Sequence, residues 1–131
     1  MNEILNANCL IKAVRDMIED APQGYPFVAA FLNDRQEVVL KGVFPGDLTA
    51  IPMTVMDTAV AIRANGVALA IKTSSDVEES IPAIVPVVYK FKKSLKNSGI
   101  RLIDVVLIYG RQGFSFAEER SFRMLRRRRF A

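Results

Sequence analysis

The sequence is 131 residues long, half of its residues are apolar, and 18 lysines and arginines against 14 acids give a net charge of +4. This length and composition predict one folded domain with its own core, and they exclude a disordered chain. There is no histidine, the single cysteine excludes an internal disulfide, and no apolar run approaches the roughly 20 residues of a membrane-spanning helix. We therefore expect a cytoplasmic protein without histidine-based catalysis or a His-ligated zinc site.

The first half of the chain predicts a helix, a hairpin and a second helix. Apolar residues recur at three- and four-residue intervals over residues 3–19, which is typical of an amphipathic helix. FVAAFL (27–32) and EVVLKGVF (37–44) are separated by NDRQ, so we predict two strands joined by a tight turn. After a loop, Thr54 with Asp57 three residues later resembles a capping box and predicts the start of the second helix.

The second half alternates strands and helices. Residues 67–71 are continuously apolar and predict a buried strand. Residues 77–98 predict a helix whose regular part starts between Pro82 and Pro86, because proline is tolerated near the first turn of a helix. RLIDVVLIY (101–109) and FSF predict two more strands, and an arginine-rich helix follows. The order α-β-β-α-β-α-β-β-α predicts an α/β fold, a mixed sheet sandwiched by helices.

Three stretches of the sequence carry motifs in a characteristic order. They are FLNDRQEVV at the hairpin, VALAI before the following loop, and GIRLIDVVLIYGRQGFSFAEE near the end. The last resembles the end of a RadC domain, which has a strand beginning Leu-Asp-His, a glycine turn and Ser-Phe-Ala-Glu. Over residues 25–120 the chain resembles the RadC family, within the JAB/MPN (Mov34) metalloprotease-like fold. The resemblance implies one JAB/MPN domain with cytidine-deaminase-like layering, an N-terminal helix and linker at 1–24, and a basic tail at 121–131.

The same resemblance implies a zinc site that this sequence has lost. The family pattern is His-x-His, seven residues, Ser, two residues and Asp, with a glutamate from an earlier strand. The positions of the two histidines, the serine, the aspartate and the glutamate fall on Ile71, Thr73, Ile81, Ile84 and Gly42. Isoleucine cannot bind zinc and threonine is a poor neutral ligand. We therefore predict no cofactor and a pseudoenzyme without the metallopeptidase site.

Polar residues in the loop after the buried strand leave other roles open. Asp76, Glu78 and Glu79 could hold magnesium or calcium weakly, or they could form a solvated helix entrance. Ser74 and its neighbours could bind an anion at the helix start or simply cap the helix. Lys72 could in principle activate a serine. We expect capping and solvation, and a hydrolase with a rebuilt carboxylate or serine site ranks third among the functions.

The positive charge is concentrated at the C-terminal end. The last twelve residues contain no acid and six arginines, which are Arg120, Arg123, Arg126, Arg127, Arg128 and Arg129. Arginine binds phosphates with sequence-independent, salt-sensitive affinity, and YKFKKSLK adds four lysines on another helix. The alternative is a helix end that aids solubility or docks on an acidic protein.

The expected function is therefore that of a non-catalytic binding module, most simply a protein-interaction scaffold. Its partner would be another protein or a second copy of the chain, and we expect no membrane partner. The main alternative is a nucleic-acid-binding accessory protein in DNA repair, recombination or mobile-element biology, a setting that the family resemblance implies.

Overall fold

The computed structural model describes residue 15 and residues 17–117. Its elements, in chain order, are β1 (Phe27–Leu32), β2 (Val38–Phe44), α1 (Met53–Ala61), β3 (Gly66–Lys72), α2 (Val77–Asn97), β4 (Arg101–Tyr109) and β5 (Gln112–Ser115). The predicted α/β class with a mixed sheet is confirmed. Most of the predicted N-terminal helix and all of the C-terminal one lie outside the described residues, so the nine-element order stays a prediction.

The five strands form one sheet in the order β2-β1-β3-β4-β5. The pair β3 and β4 is parallel and is connected through α2, whereas every other neighbouring pair is antiparallel. The strand β3 lies in the middle because its sequence, GVALAIK, is almost entirely apolar, and six of its seven residues are buried. Because β3 and β4 are parallel, their carboxyl ends lie side by side.

The strand β2 is irregular and lies at one edge of the sheet. Phe31 pairs with Leu40 and Leu32 pairs with Val38, so Val39 has no partner in the register and forms a β-bulge. The Val39 side chain is 51% exposed. The bulge lets Val38 and Val43 pack on one face of the sheet while Phe44 packs on the other.

The three central strands are buried on both faces, and each face carries its own apolar cluster. We call the cluster beneath α1 and α2 the helix-side core. It includes Phe27, Ala29 and Phe31 of β1, Leu69 and Ile71 of β3, Val105 and Leu107 of β4, and inward-facing residues of both helices. The opposite cluster contains Ile18, Val28, Ala30, Ala68, Ala70, Val106 and Ile108. Burial on both faces explains why the strands read as continuous apolar runs.

The predicted start of α2 is wrong, since the helix begins at Val77 and both Pro82 and Pro86 lie inside it. A proline cannot donate the backbone hydrogen bond of a helix interior, which costs about 3 kcal/mol. Both prolines are exposed and four residues apart, so they share the outer face of α2. The buried face, with Ile84, Val88 and Leu95 among its members, offsets this cost through apolar burial.

The predicted capping box of α1 is also wrong. The helix begins at Met53, and its N-cap is Pro52, which makes no side-chain hydrogen bond. Thr54 and Asp57 therefore lie within the helix, where both are exposed. Neither α1 nor α2 is long and apolar enough to cross a membrane, and no other helix of the described residues is.

Candidate functional site

The loop between β3 and α2 occupies the part of the fold where the family resemblance implies a metal site. It follows the carboxyl end of a strand that pairs in parallel with β4, an edge where α/β proteins commonly bind ligands. The Lys72 amide donates to the Pro26 carbonyl at 2.8 Å, and the Thr73 amide donates to the Ile108 carbonyl at 3.0 Å. These two hydrogen bonds hold the start of the loop against both neighbouring strands.

Three of the five positions that the resemblance aligns with metal ligands lie together in the helix-side core. Ile71 and Ile84 are 1% and 2% exposed, and Ile81 is half-buried against the same cluster. Ile71 lies on the central strand, while Ile81 and Ile84 lie on the α2 turns that cover it. The space that imidazoles and a carboxylate would need is therefore filled with hydrocarbon.

The fourth position, Gly42, lies on β2 opposite Ala29. A Cβ atom added to Gly42 would lie 3.1 Å from Cε1 of Phe44, a ring that packs against the helix-side core. This separation is shorter than an ordinary contact, so a longer side chain here would have to displace the Phe44 ring. A side chain at position 42 therefore requires the Phe44 ring to shift by a few tenths of an ångström.

The fifth position, Thr73, is 3% exposed, and its hydroxyl is engaged by the backbone. The hydroxyl donates to the Ser75 carbonyl at 2.8 Å and lies 3.5 Å from the Ile108 carbonyl. Within residues 15 and 17–117, no buried side-chain nitrogen or oxygen lacks a hydrogen-bond partner. Thr73 therefore fixes the shape of the loop, and these five residues do not fit a zinc ion.

The start of α2 is capped by side chains of the protein itself. Asp76 accepts a hydrogen bond from the Glu78 amide at 2.9 Å and another from Nε2 of Gln112 at 2.9 Å. The Oε1 atom of Gln112 in turn accepts from the Val77 amide at 3.1 Å. The expected capping role of Asp76 is confirmed, and the amides that could bind an anion at this helix start are already occupied.

The hydrogen bonds at Asp76 also affect its ionisation. The Gln112 side chain contributes most and the Glu78 amide adds to it, so the pKa of Asp76 lies below its usual value. Sequence reasoning missed Gln112, which is 36 residues away and reaches Asp76 only through the turn between β4 and β5.

The alternative chemistries of the loop find no geometric support in the described residues. No group of three or more aspartates, glutamates or cysteines there converges closely enough to hold a metal ion. Lys72 forms no hydrogen bond with Ser74 or Ser75 within the same part of the chain, and the Ser75 hydroxyl instead lies 3.3 Å from that of Ser80. An open cavity of about 540 Å³ adjoins the loop, lined by Tyr25, Lys72 and other residues.

The residues that carry the family resemblance near the end of the chain contact one another. Asp104 is only 4% exposed and accepts hydrogen bonds from the Ser115 hydroxyl at 2.6 Å and from the Ala117 amide at 3.0 Å. A buried carboxylate requires such donors. The Asp and Ser-Phe-Ala elements of the motif thus connect β4 to the segment that follows β5, and their role here is structural.

The basic residues fall into two groups. The six C-terminal arginines lie outside the described residues. Lys90, Lys93 and Lys96 are exposed on α2, whereas Lys92 is half-buried.

No protein-family model matches the sequence, and no curated protein matches it.

Proposed function

We propose that this protein is a non-catalytic binding module of the RadC-like JAB/MPN type, acting as a scaffold for a protein partner. The observation that carries the proposal is the packing of Ile71, Ile81 and Ile84 in the helix-side core. Apolar side chains that fill a pocket stabilise the domain but cannot bind a metal ion, so we expect the function to reside in surface residues.

The test combines metal analysis with partner capture. Full-length protein purified without a chelator should contain well below one equivalent of zinc, and added zinc should not raise its melting temperature. A tightly held zinc ion would overturn the proposal. Capture from native extract before and after nuclease treatment then separates a protein partner, which persists, from contacts mediated by nucleic acid, which disappear.

A second candidate function is binding of nucleic acid through positive charge. The exposed lysines of α2 favour it, together with the six arginines near the C-terminus. Phosphate contacts release counterions, so affinity for DNA should fall steeply with salt. Deleting residues 126–131 removes four arginines and should flatten this dependence.

The lysines can be tested with a matched control. Replacing Lys93 and Lys96 with alanine should weaken DNA binding, whereas Lys41→Ala, on the exposed edge of β2, should have little effect. If the full-length protein shows no salt-dependent binding at about 50 mM salt, where phosphate contacts are strong, this candidate is discarded.

A further inference from the structure

Helix α1 exposes apolar side chains where a surface helix normally carries charge. Met53 is 72% exposed and Val60 is 52% exposed. The spacing of Met53, Asp57 and Val60 places them on one side of the helix. Asp57 is the only charged residue in α1. We call Met53, Asp57 and Val60 the α1 ridge.

An apolar groove lies directly beside this ridge. It has a volume of about 380 Å³ and lies between the start of α1 and the middle of α2. Met53 and Met56 line one side, while Val87, Lys90 and other α2 residues line the other. The ridge and the groove together form one surface, the α1–α2 face, which carries both a projection and a depression.

The charges of the α1–α2 face are complementary to each other. Asp57 lies on the ridge, and the Lys90 side chain is exposed at the groove. Neither residue forms an ion pair with any other part of the described chain. In a two-fold dimer, residue i of one protomer contacts residue j of the other, and j contacts i. A surface with an apolar ridge bearing an acid, next to an apolar groove bearing a base, is self-complementary under this symmetry.

We propose that a second copy of this chain docks on the α1–α2 face. The ridge of each protomer occupies the groove of the other, and the Asp57 carboxylate of one protomer pairs with the Lys90 ammonium of the other. The contact occurs twice, once on each side of the symmetry axis. This inference does not depend on the proposed loss of the zinc site, because the face lies on the outer surfaces of the two helices.

The dimensions of the face set the expected affinity. At 1.5 Å per residue, the nine residues of α1 extend about 13 Å. The two adjacent helices give a face about 20 Å wide, which is smaller than a standard interface of about 800 Å² per partner. A face of about 13 by 20 Å buries only about 260 Å² per partner, so we expect a weak, reversible dimer with a dissociation constant of about 100 µM.

The first experiment is sedimentation velocity of the full chain from about 1 to 300 µM, a range that brackets micromolar dissociation. Met53→Lys should raise the dissociation constant at least about tenfold, because it places a charge in the apolar contact. Val39→Lys is the matched control, since Val39 is an exposed apolar residue on β2, and it should leave the constant unchanged. A protein that stays monomeric at the highest concentration, or equal effects of the two substitutions, would overturn the proposal.

The second experiment reverses the charges. Asp57→Lys and Lys90→Asp should each weaken the dimer by about tenfold, because each places like charges opposite one another. The double variant restores opposite charges and should recover affinity to within about threefold of the original. Both residues are exposed, so thermal melting should be unchanged in all three variants. If the double variant is as weak as the single ones, Asp57 and Lys90 do not meet across a two-fold axis, and the proposed docking is wrong.

Discussion

Replacing Ile84 with aspartate places a carboxyl group where the family pattern has its metal-binding aspartate. Ile84 is 2% exposed in the helix-side core. Loss of its buried hydrocarbon should cost about 2–4 kcal/mol. At pH 7 the new group must also stay protonated, which is about 3 pH units above its ordinary pKa of about 3.9 and costs about 4 kcal/mol more. The total, about 6–8 kcal/mol, is comparable with the whole stability of a typical domain.

The size of this loss should depend on pH. Burial raises the folded-state pKa of the new aspartate, so the folded protein binds more protons than the unfolded chain above about pH 4. Stability should therefore fall by about 1.4 kcal/mol per pH unit as the pH rises from about 4 toward the folded-state pKa. Ile84→Asn is the matched control, because an amide has a similar shape and does not ionise.

Urea unfolding followed by circular dichroism at pH 4 and pH 7 measures both effects. At pH 4 the aspartate and asparagine variants should have similar stability, and at pH 7 the aspartate variant should be less stable by about 4 kcal/mol. Complete unfolding at pH 7 with recovery at pH 4 agrees with this expectation. Equal stability of the two variants at pH 7 would mean that water reaches position 84, and the closed-pocket reasoning would be refuted.

Three other variants test neighbouring features. Ile71→His combined with Thr73→His introduces two imidazoles without a carboxylate ligand, so metal analysis and a peptide-hydrolysis assay should find neither stoichiometric zinc nor activity. Pro82→Ala supplies the missing helix amide and should stabilise the protein to urea by about 1–3 kcal/mol; unchanged or lower stability would contradict its position inside α2. Gln112→Ala should raise the pKa of Asp76 in an NMR titration. The lowered pKa of Asp76 stabilises the folded protein at pH values above the pKa of this group in the unfolded chain. The Gln112→Ala variant should therefore lose folding stability above about pH 4, and this loss should vanish as the pH falls through the folded-state pKa.

The strands were predictable because their apolar runs are long and bounded by turn residues. The hairpin of β1 and β2 and the burial of β3 follow from the apolar pattern and the turn residues between the strands. The start of α2 was not predictable from local rules. The free-energy cost of Pro82 and Pro86 in a helix can be judged from the local sequence. The apolar burial that offsets this cost depends on the sheet beneath the helix, which the local sequence does not describe.

The candidate site was predictable in part. At positions that the family resemblance aligns with ligands the sequence has isoleucine, and an apolar residue at the end of a buried strand is expected to pack inward. The hydrogen bonds of Thr73 and Gln112 join strands and loops that are distant in sequence. The Thr73 contact depends on the register of β3 and β4, and the Gln112 contacts depend on the turn between β4 and β5. The residue pattern contains no signal for either.

The bulge at Val39 has a consequence for how copies of the chain can assemble. A regular outer edge is a template on which another molecule adds a strand, and each addition creates a new edge for the next, so growth has no natural end. The unpaired residue in β2 breaks the spacing of such a template, and the neighbouring Lys41 adds a charge that repels an identical strand. A two-fold contact through α1 and α2 instead buries the interacting face of both copies, so a third copy has no such face to bind. Concentrated protein should therefore associate in closed pairs rather than by strand addition at the β2 edge.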